Sequence, residues 1–314
     1  MYAYIIRRLL MVIPVLFGVS IVIFFTLRVI PGDVAQTILG TSATEGSLAA
    51  LRSKFQLDLP VYEQYFLWIS GVVVGDFGVS MRTGAEILPE ILSRFAITFE
   101  LTLLAAFISW IIAIPLGIIA GVKRNTKTDF SVRIISLLGV SVPNFALATI
   151  LILVLSLAFN YSPPVGYVGF FEDPLRNLQI LFLPAFVLGT GMAGAVMRMT
   201  RSSILEILRQ DFIRTIRAKG VKERVVIFNH AFKNAMIPIL TIIGMQIGVL
   251  LGGTVIIEQI FSLPGLGQMV LTGINQRDFT VVQGAILFIA FVFVMINLLV
   301  DLLYSYLDPR ITYK

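Results

Sequence analysis

The sequence predicts an all-α, polytopic membrane protein with six transmembrane helices. Hydrophobic residues make up 57% of the 314-residue chain and charged residues 13%, with a mean hydropathy of +0.93. A soluble domain of this size would carry roughly a quarter charged residues. The apolar residues lie in runs of about twenty, the length that crosses a hydrocarbon core as a helix. A lipid-exposed backbone must satisfy its own hydrogen bonds, which leaves helices as the form for such runs.

The first run, residues 9–30, follows Arg7 and Arg8. A signal peptide would have a shorter apolar core and a small-residue cleavage site, so this run reads as an uncleaved span that starts in the cytosol. The remaining spans are expected near residues 99–122, 131–159, 178–197, 236–257 and 281–303. The third is long enough to tilt or to extend past the bilayer. Basic residues collect in alternate connections, as expected of cytoplasmic faces and not of a nucleic-acid-binding patch. With both termini inside, the cytoplasmic segments hold Lys123, Arg124, Lys127, Arg133, the nine basic residues from Arg198 to Lys233, Arg310 and Lys314. The outside keeps Arg28, Arg52, Lys54, Arg82, Arg94, Arg176 and Arg277, four of them in one long loop where charge steers topology weakly.

That loop, residues 31–98, is too long for a simple connector. Leu48 to Leu51 and Val61 to Ile69 have helical spacing, and Gly75 to Gly78 reads as a turn, so it is expected to form a small helical cap on the outer face. A second external piece, residues 160–177, is rich in Pro, Gly and aromatics and reads as an ordered loop. The chain thus divides into residues 1–30 with the first helix, an extracytoplasmic helical segment 31–98, and a five-helix core 99–314. No internal repeat argues for inverted-repeat secondary transport.

The most informative segment is the basic excursion 198–235 inside that core. Ile204, Leu208, Phe212 and Ile216 recur every fourth residue, with Arg201, Arg209 and Arg217 elsewhere on the surface. Asp211 is placed to N-cap a short helix, and Gly220 suits the left-handed residue that ends it. Arg217 and Lys219 sit in the last turn, where the helix dipole favours cations. Val225, Phe228 and Phe232 give a second apolar stripe. Two short amphipathic helices with a glycine break are expected. They would either lie on the lipid headgroups or fill the groove of a soluble partner.

Arg214, Thr215, Ile216, Arg217, Ala218, Lys219 and Gly220, followed by His230 to Pro238, resemble the coupling loop of binding-protein-dependent ABC transporter permeases. The resemblance is closest to the peptide/nickel branch, which includes dipeptide, oligopeptide and glutathione importers. The broader family's loop reads Glu-Ala-Ala, three residues, then Gly; here only Gly220 matches, a departure that itself resembles the peptide/nickel branch. Pro31 to Asp33, Gly75 to Ser80, Gly139 to Phe145, Glu258 with Leu263 to Gly267, Arg277 with Asp278, and Val300 to Arg310 are similar to that branch in order and spacing. The resemblance implies a type I ABC importer permease fold in the cytoplasmic (inner) membrane. It also implies a second homologous permease forming a heterodimer, two ATP-binding subunits holding ATP and Mg, and an extracytoplasmic solute-binding protein. The helix ending at Gly220 would carry ATPase motion into the spans. Di- or oligopeptides are the expected solutes, with nickel chelates, glutathione and oligosaccharides as alternatives within the family.

Within the membrane, Gly244, Gly248 and Gly252 repeat every fourth residue, a spacing that lets helices approach closely. That face would meet the partner permease or the pore, or pack within the chain. Pro143 removes a helical hydrogen bond, so Ser141, Pro143 and Asn144 would either line a solute path or form a tolerated kink. Gln246 and Asn297 are further intramembrane polar groups that would line the path or bridge helices. Glu100, Glu258 and Asp301 fall near span ends, within reach of water, which weakens an ion-coupled reading.

Chemistry in this chain itself is poorly supported. There is no phosphate-cradling Gly-x-x-x-x-Gly-Lys-Ser/Thr loop and no His-Glu-x-x-His or Gly-x-Ser-x-Gly pattern. Zero cysteines and the single His230, expected to be structural or interfacial, leave no metal site. No cofactor is expected on this chain and it reads as a non-enzyme. The alternative class is a self-sufficient channel or ion-coupled transporter with a lipid-bound hairpin.

Overall fold

The computed structural model describes residues 2–29, 34–39 and 43–307, so the segments Pro31 to Asp33 and Asp308 to Lys314 singled out above lie outside the described residues. The described residues are mostly helical and contain no strand beyond one bridge pairing Val79 and Glu86 across a turn. In chain order the helices are α1 (Tyr2–Val29), α2 (Val34–Leu39), α3 (Glu45–Lys54), α4 (Val61–Val73), α5 (Ile87–Val122), α6 (Lys127–Ser141), α7 (Asn144–Phe159), α8 (Pro174–Ile207), α9 (Asp211–Ala218), α10 (Glu223–Val225), a π-helical turn (Val226–Phe232), α11 (Lys233–Gly253), α12 (Val255–Ile260), α13 (Leu266–Gln276) and α14 (Phe279–Leu307). Among the described residues, five helical stretches are long and apolar enough to cross a membrane: Ile6–Val29, Ile87–Val122, Pro174–Ile207, Glu223–Gly252 and Phe279–Leu302. α6 and α7 supply a sixth crossing only as a pair bent by 99°.

That bend corrects the single third span expected over 131–159. Pro143 ends one helix and starts another, because a residue before proline is driven out of the α region and Val142 is extended at φ −84°, ψ 119°. α5 and α8 also run beyond their expected spans. At 36 and 34 residues they are about 54 and 51 Å long at roughly 1.5 Å per residue, well over a hydrocarbon core of about 30 Å. Residues 87–98 are helical without being uniformly apolar, since Glu90 and Arg94 pair one turn apart.

The chain forms two compact units. The first comprises Met1–Thr98, Gly252–Glu258 and Pro264–Met295. In it α4 packs along α1: the Ser20 and Tyr65 hydroxyls share a hydrogen bond of 2.8 Å, and the Phe24 ring lies against Tyr65 and Trp68 at 5.2 and 5.7 Å. Ile87 and Ile91 of α5 bury against Leu266, Met269, Val281 and Ala285. Two carboxylates fasten this unit. Asp278 accepts from the Ser80 hydroxyl at 2.5 Å and the Met81 N–H at 3.2 Å, joining segments nearly two hundred residues apart. Glu258, expected near water, is instead fully buried. Its Oε1 accepts from the Thr98 and Thr254 hydroxyls at 2.8 and 2.7 Å, and its Oε2 from the Gln268 N–H at 2.8 Å. A buried acid is tolerable when its lone pairs are taken in this way, and the Gln268 N–H belongs to the first turn of α13, where the dipole favours an anion. Gly265 has no side chain because a Cβ there would strike the Glu258 carboxylate.

The second unit comprises Phe99–Leu251, Gln259–Leu263 and Ile296–Lys314. α8 is its axis. Gly117 and Gly121 of α5 meet Thr200 and Ile204 of α8, and a Cβ on either glycine would sit within 3 Å of those side chains. Gly189 of α8 lies over the Ala105 carbonyl, and Gly194 lies over the Ser136 carbonyl of α6. Small residues thus bring three backbones together where lipid offers no hydrophobic drive to do so. At the α6–α8 crossing the fully buried Asp129 takes a bidentate pair from Arg201, Nε at 2.6 Å and Nη2 at 2.9 Å, with Arg133 at 3.7 Å. Such charge-assisted forks are about twice as strong as neutral hydrogen bonds and fix direction.

Candidate functional site

α9 is short, exposed and anchored by its apolar face. Ile213 is fully buried and Ile216 half-buried in a cluster with Ile204, Ile207, Val226 and Ala231. The expected stripe Ile204, Leu208, Phe212, Ile216 is therefore not one continuous face. α8 ends at Ile207, Arg209 and Gln210 form a turn, and α9 restarts with a new phase that turns Ile213 inward and leaves Phe212 39% exposed. The N-cap is Gln210, without a side-chain cap, and Asp211 stands inside the first turn, ion-paired to Arg214 at 3.3 Å, not at the cap position expected of it.

Gly220 has φ +75°, the left-handed geometry expected of it. A Cβ there would meet nothing within 4 Å, so glycine serves the backbone alone. Arg217 and Glu223 then clasp across this turn at 2.6 and 3.1 Å, and the carboxylate raises the Arg217 pKa above its ordinary value. Arg214, Thr215, Arg217, Ala218, Lys219 and Gly220 are all exposed. The second stripe is also re-phased. The π-helical turn Val226–Phe232 carries Val226 and Ala231, five apart, into the core, while Val225 and Phe228 face outward at 36% and 49% exposure. His230 is half-buried and its carbonyl accepts from Asn234.

A second locus sits where α6 breaks. Ser141 and Pro143 are exposed at the break. The Asn144 amide lies against Gly191 of α8, where any Cβ would displace it. Gln246 of α11 donates to the Met192 carbonyl at 3.3 Å, and its own Oε1 is buried without a hydrogen-bond partner. Two of the expected polar residues thus converge on adjacent α8 residues, Gly191 and Met192. Asn297 is half-buried on α14, one turn from Val300. Gly244 packs onto Val300, and a Cβ on Gly252 would lie 3.8 Å from Ile289 of the same helix. Gly248 is buried. Gly244 and Gly252 thus both face α14 of this chain.

In the loop before α8, Tyr167 donates to Glu100 of α5 at 2.9 Å, and Asn177 of α8 donates to the same oxygen. Burial first, and then Glu100, hold the Tyr167 phenol well above its ordinary pKa. Ile213 and the Asp129–Arg201 pair escaped the sequence reading. The i,i+4 pair Gly117 and Gly121 was a visible signal for the α5–α8 contact.

The described residues thus form a helical membrane unit that presents one short, largely exposed helix, held to its core by Ile213. Residues 113–313 match the family model of the binding-protein-dependent transport system inner membrane component, and residues 1–102 match its N-terminal companion. The chain belongs to this family of binding-protein-dependent transport permeases, is a multi-pass inner-membrane protein, and is a transport subunit and not an enzyme. It is 43% identical to the dipeptide transport system permease protein DppB of Alkalihalophilus pseudofirmus, over 100% of both chains. It is 41% identical to a putative peptide transport system permease protein of Brucella suis and 40% identical to the glutathione transport system permease protein GsiC of Escherichia coli, each over 100% of both chains. Among solved structures, the inward-facing MetNI methionine ABC transporter shares the fold, with a TM-score of 0.55 at 18% identity, over 69% of this chain and 96% of that one. The self-sufficient channel falls away with this membership.

Proposed function

We propose that this chain is one permease of a heterodimeric ABC importer of di- and oligopeptides. Two separate ATPases with bound ATP and Mg would drive it, and an extracytoplasmic binding protein would deliver the solute. Both termini are cytoplasmic in this reading. Residues 31–98 form the extracytoplasmic segment, and 99–314 form the permease core with its coupling loop at 198–235. The observation that carries the reading is α9: its polar face is exposed over Arg214 to Gly220 while Ile213 is locked into the membrane unit's own core. Such a helix can receive a push from a soluble groove and pass it on without being pulled out. The substrate class rests on full-length similarity to dipeptide, peptide and glutathione permeases, three small peptidic solutes. Asn144 and Gln246, meeting at Gly191 and Met192, are the proposed polar lining of the path, with Ser141 and Pro143 at its hinge and Asn297 on the neighbouring helix.

The test is affinity purification of the tagged chain from its native cell in mild detergent, followed by uptake of labelled dipeptides after reconstitution. Two ATPases and a second permease should accompany the chain, and unlabelled peptides should compete. A folded chain that purifies alone would overturn the assembly. A complete complex that ignores peptides would overturn the substrate class.

A further inference from the structure

Two cavities in the first unit are built from the same three helices at successive levels. One, of about 390 Å³, is lined by Arg28 of α1, Trp68 of α4 and Gln283 of α14, with Lys54 and Asp76 at its edge. The other, of about 480 Å³, is lined only by apolar side chains, among them Phe17 of α1, Val72 of α4 and Phe291 of α14. On α1 and α14 the order agrees: Arg28 lies above Phe17, and Gln283 above Phe291. α4 runs antiparallel to α1 and borders both cavities, with Trp68 and Gly71 on the upper one and Ile69 and Val72 on the lower.

The upper cavity is rich in donors that lack acceptors. The Trp68 Nε1–H and the Gln283 amide N–H groups are buried without partners, and Gln283 is only 4% exposed. Among the described residues Arg28 pairs with no carboxylate; its guanidinium lies 3.4 Å over the Phe24 ring and donates to Gln64 Oε1 at 2.7 Å. Lys54 stands 5.5 Å over the Phe55 ring. The one acid in the lining, Asp76, is exposed and accepts from the Gly78 N–H. Buried donors left unmade are costly, and two cations against one anion favour a negative ligand.

We propose that the paired cavities hold one anionic phospholipid. Its phosphate sits among Arg28, Lys54, Trp68 and Gln283, and an acyl chain sits in the apolar cavity. The spacing fits. Arg28 and Phe17 are eleven residues apart, about 16 Å along a helix, close to half the hydrocarbon thickness of about 30 Å. Arg28 also falls at the very end of the apolar stretch Ile6–Val29, the level at which headgroups lie. A free phosphate would use only the upper cavity and a hydrocarbon only the lower. The stacking of both is what selects a lipid.

The test is native mass spectrometry of the complete transporter purified in detergent and titrated with dioleoyl phosphatidylglycerol, with inorganic phosphate and dioleoyl phosphatidylcholine as comparisons. The wild type should bind one phosphatidylglycerol that survives gentle activation. Arg28→Gln with Lys54→Gln should weaken it about tenfold or more, and so should Val72→Trp, which fills the lower cavity. Thermal melts of each variant show that the fold persists, and Gln283→Leu, which removes donors without adding bulk, gives an independent reading should any of them fail to fold. Equal binding of the wild type and all these variants would overturn the proposal. So would phosphate displacing the lipid from the upper cavity, or a phosphatidylcholine affinity equal to that of phosphatidylglycerol.

Discussion

Replacing Gly220 by valine tests the coupling assignment with little collateral damage. The residue sits at φ +75°, where an L side chain costs roughly 1–2 kcal/mol, with β-branching at the upper end. Nothing lies within 4 Å of a Cβ there, so no packing cost is added. Opposing the strain are the bonds that close α9, Gly220 N–H to the Arg217 carbonyl at 2.9 Å and Lys219 N–H to the Thr215 carbonyl at 3.2 Å. Each contributes about 0.5–1.5 kcal/mol net. The two sides are of equal size, so valine should unwind the last turn and misalign the Arg217–Glu223 clasp. Global stability, on the order of 5–15 kcal/mol in folded proteins, should survive. The assay compares solute uptake with ATP hydrolysis by the reconstituted transporter. Hydrolysis should stay within about twofold while uptake falls about tenfold, the factor that corresponds to roughly 1.4 kcal/mol. Gly220→Asn should remain near wild type, because asparagine tolerates this conformation. Valine with an unchanged ratio of solute to ATP would refute the assignment, and so would asparagine as damaging as valine.

Other substitutions probe the remaining sites. Glu258→Ala leaves the Thr98 and Thr254 hydroxyls and the Gln268 N–H without their acceptor, at about 1–3 kcal/mol each. A pronounced drop in melting temperature is expected, with Glu258→Gln much milder. Asp129→Ala strands Arg201, which is 20% exposed; the loss should fall somewhat below the roughly 3–5 kcal/mol of a fully buried broken pair and show as reduced assembly on size-exclusion chromatography. Asn144→Leu should change uptake or its peptide preference while the complex still assembles, and unchanged transport would remove Asn144 from the path.

The spans were legible because lipid imposes one rule, an apolar run of fixed length, on every crossing. Gly220 was legible for a similar reason, since a glycine after a basic helical turn has few other uses. The phase of α9 was not. Ile204, Leu208, Phe212 and Ile216 recur so regularly that sequence alone continues one helix through all four, and the turn at Arg209 and Gln210 carries neither Gly nor Pro to announce it. The π-helical turn hid the true inner face of Val226 and Ala231 in the same way, by changing the period. Pro143 announced an interruption but not its size; a 99° break and a tolerated kink start from the same residue. Glu258 was misplaced because its burial depends on Thr98, 160 residues earlier. No local pattern reveals a partner at that range.

The contacts of α8 bear on the proposed coupling through α9. Ile213 is buried in the same cluster as Ile204, so α9 cannot move without pressing on the end of α8. There Gly117 and Gly121 hold α5 against Thr200 and Ile204, and Asp129 fastens Arg201 to the start of α6. These contacts leave little slack, because glycine contacts place backbone against side chain with no flexible atom between. From Ile204 to Gly191 is thirteen residues, about 20 Å along the helix, and at that far end Asn144 rests on Gly191 beside Gln246 on Met192. The helical ladder beside this route is interrupted at Val142 and Pro143. If α9 is the coupling helix, as proposed, force entering there would meet a helix braced by α5 and α6 and would reach the break between α6 and α7, beside the proposed polar lining of the path.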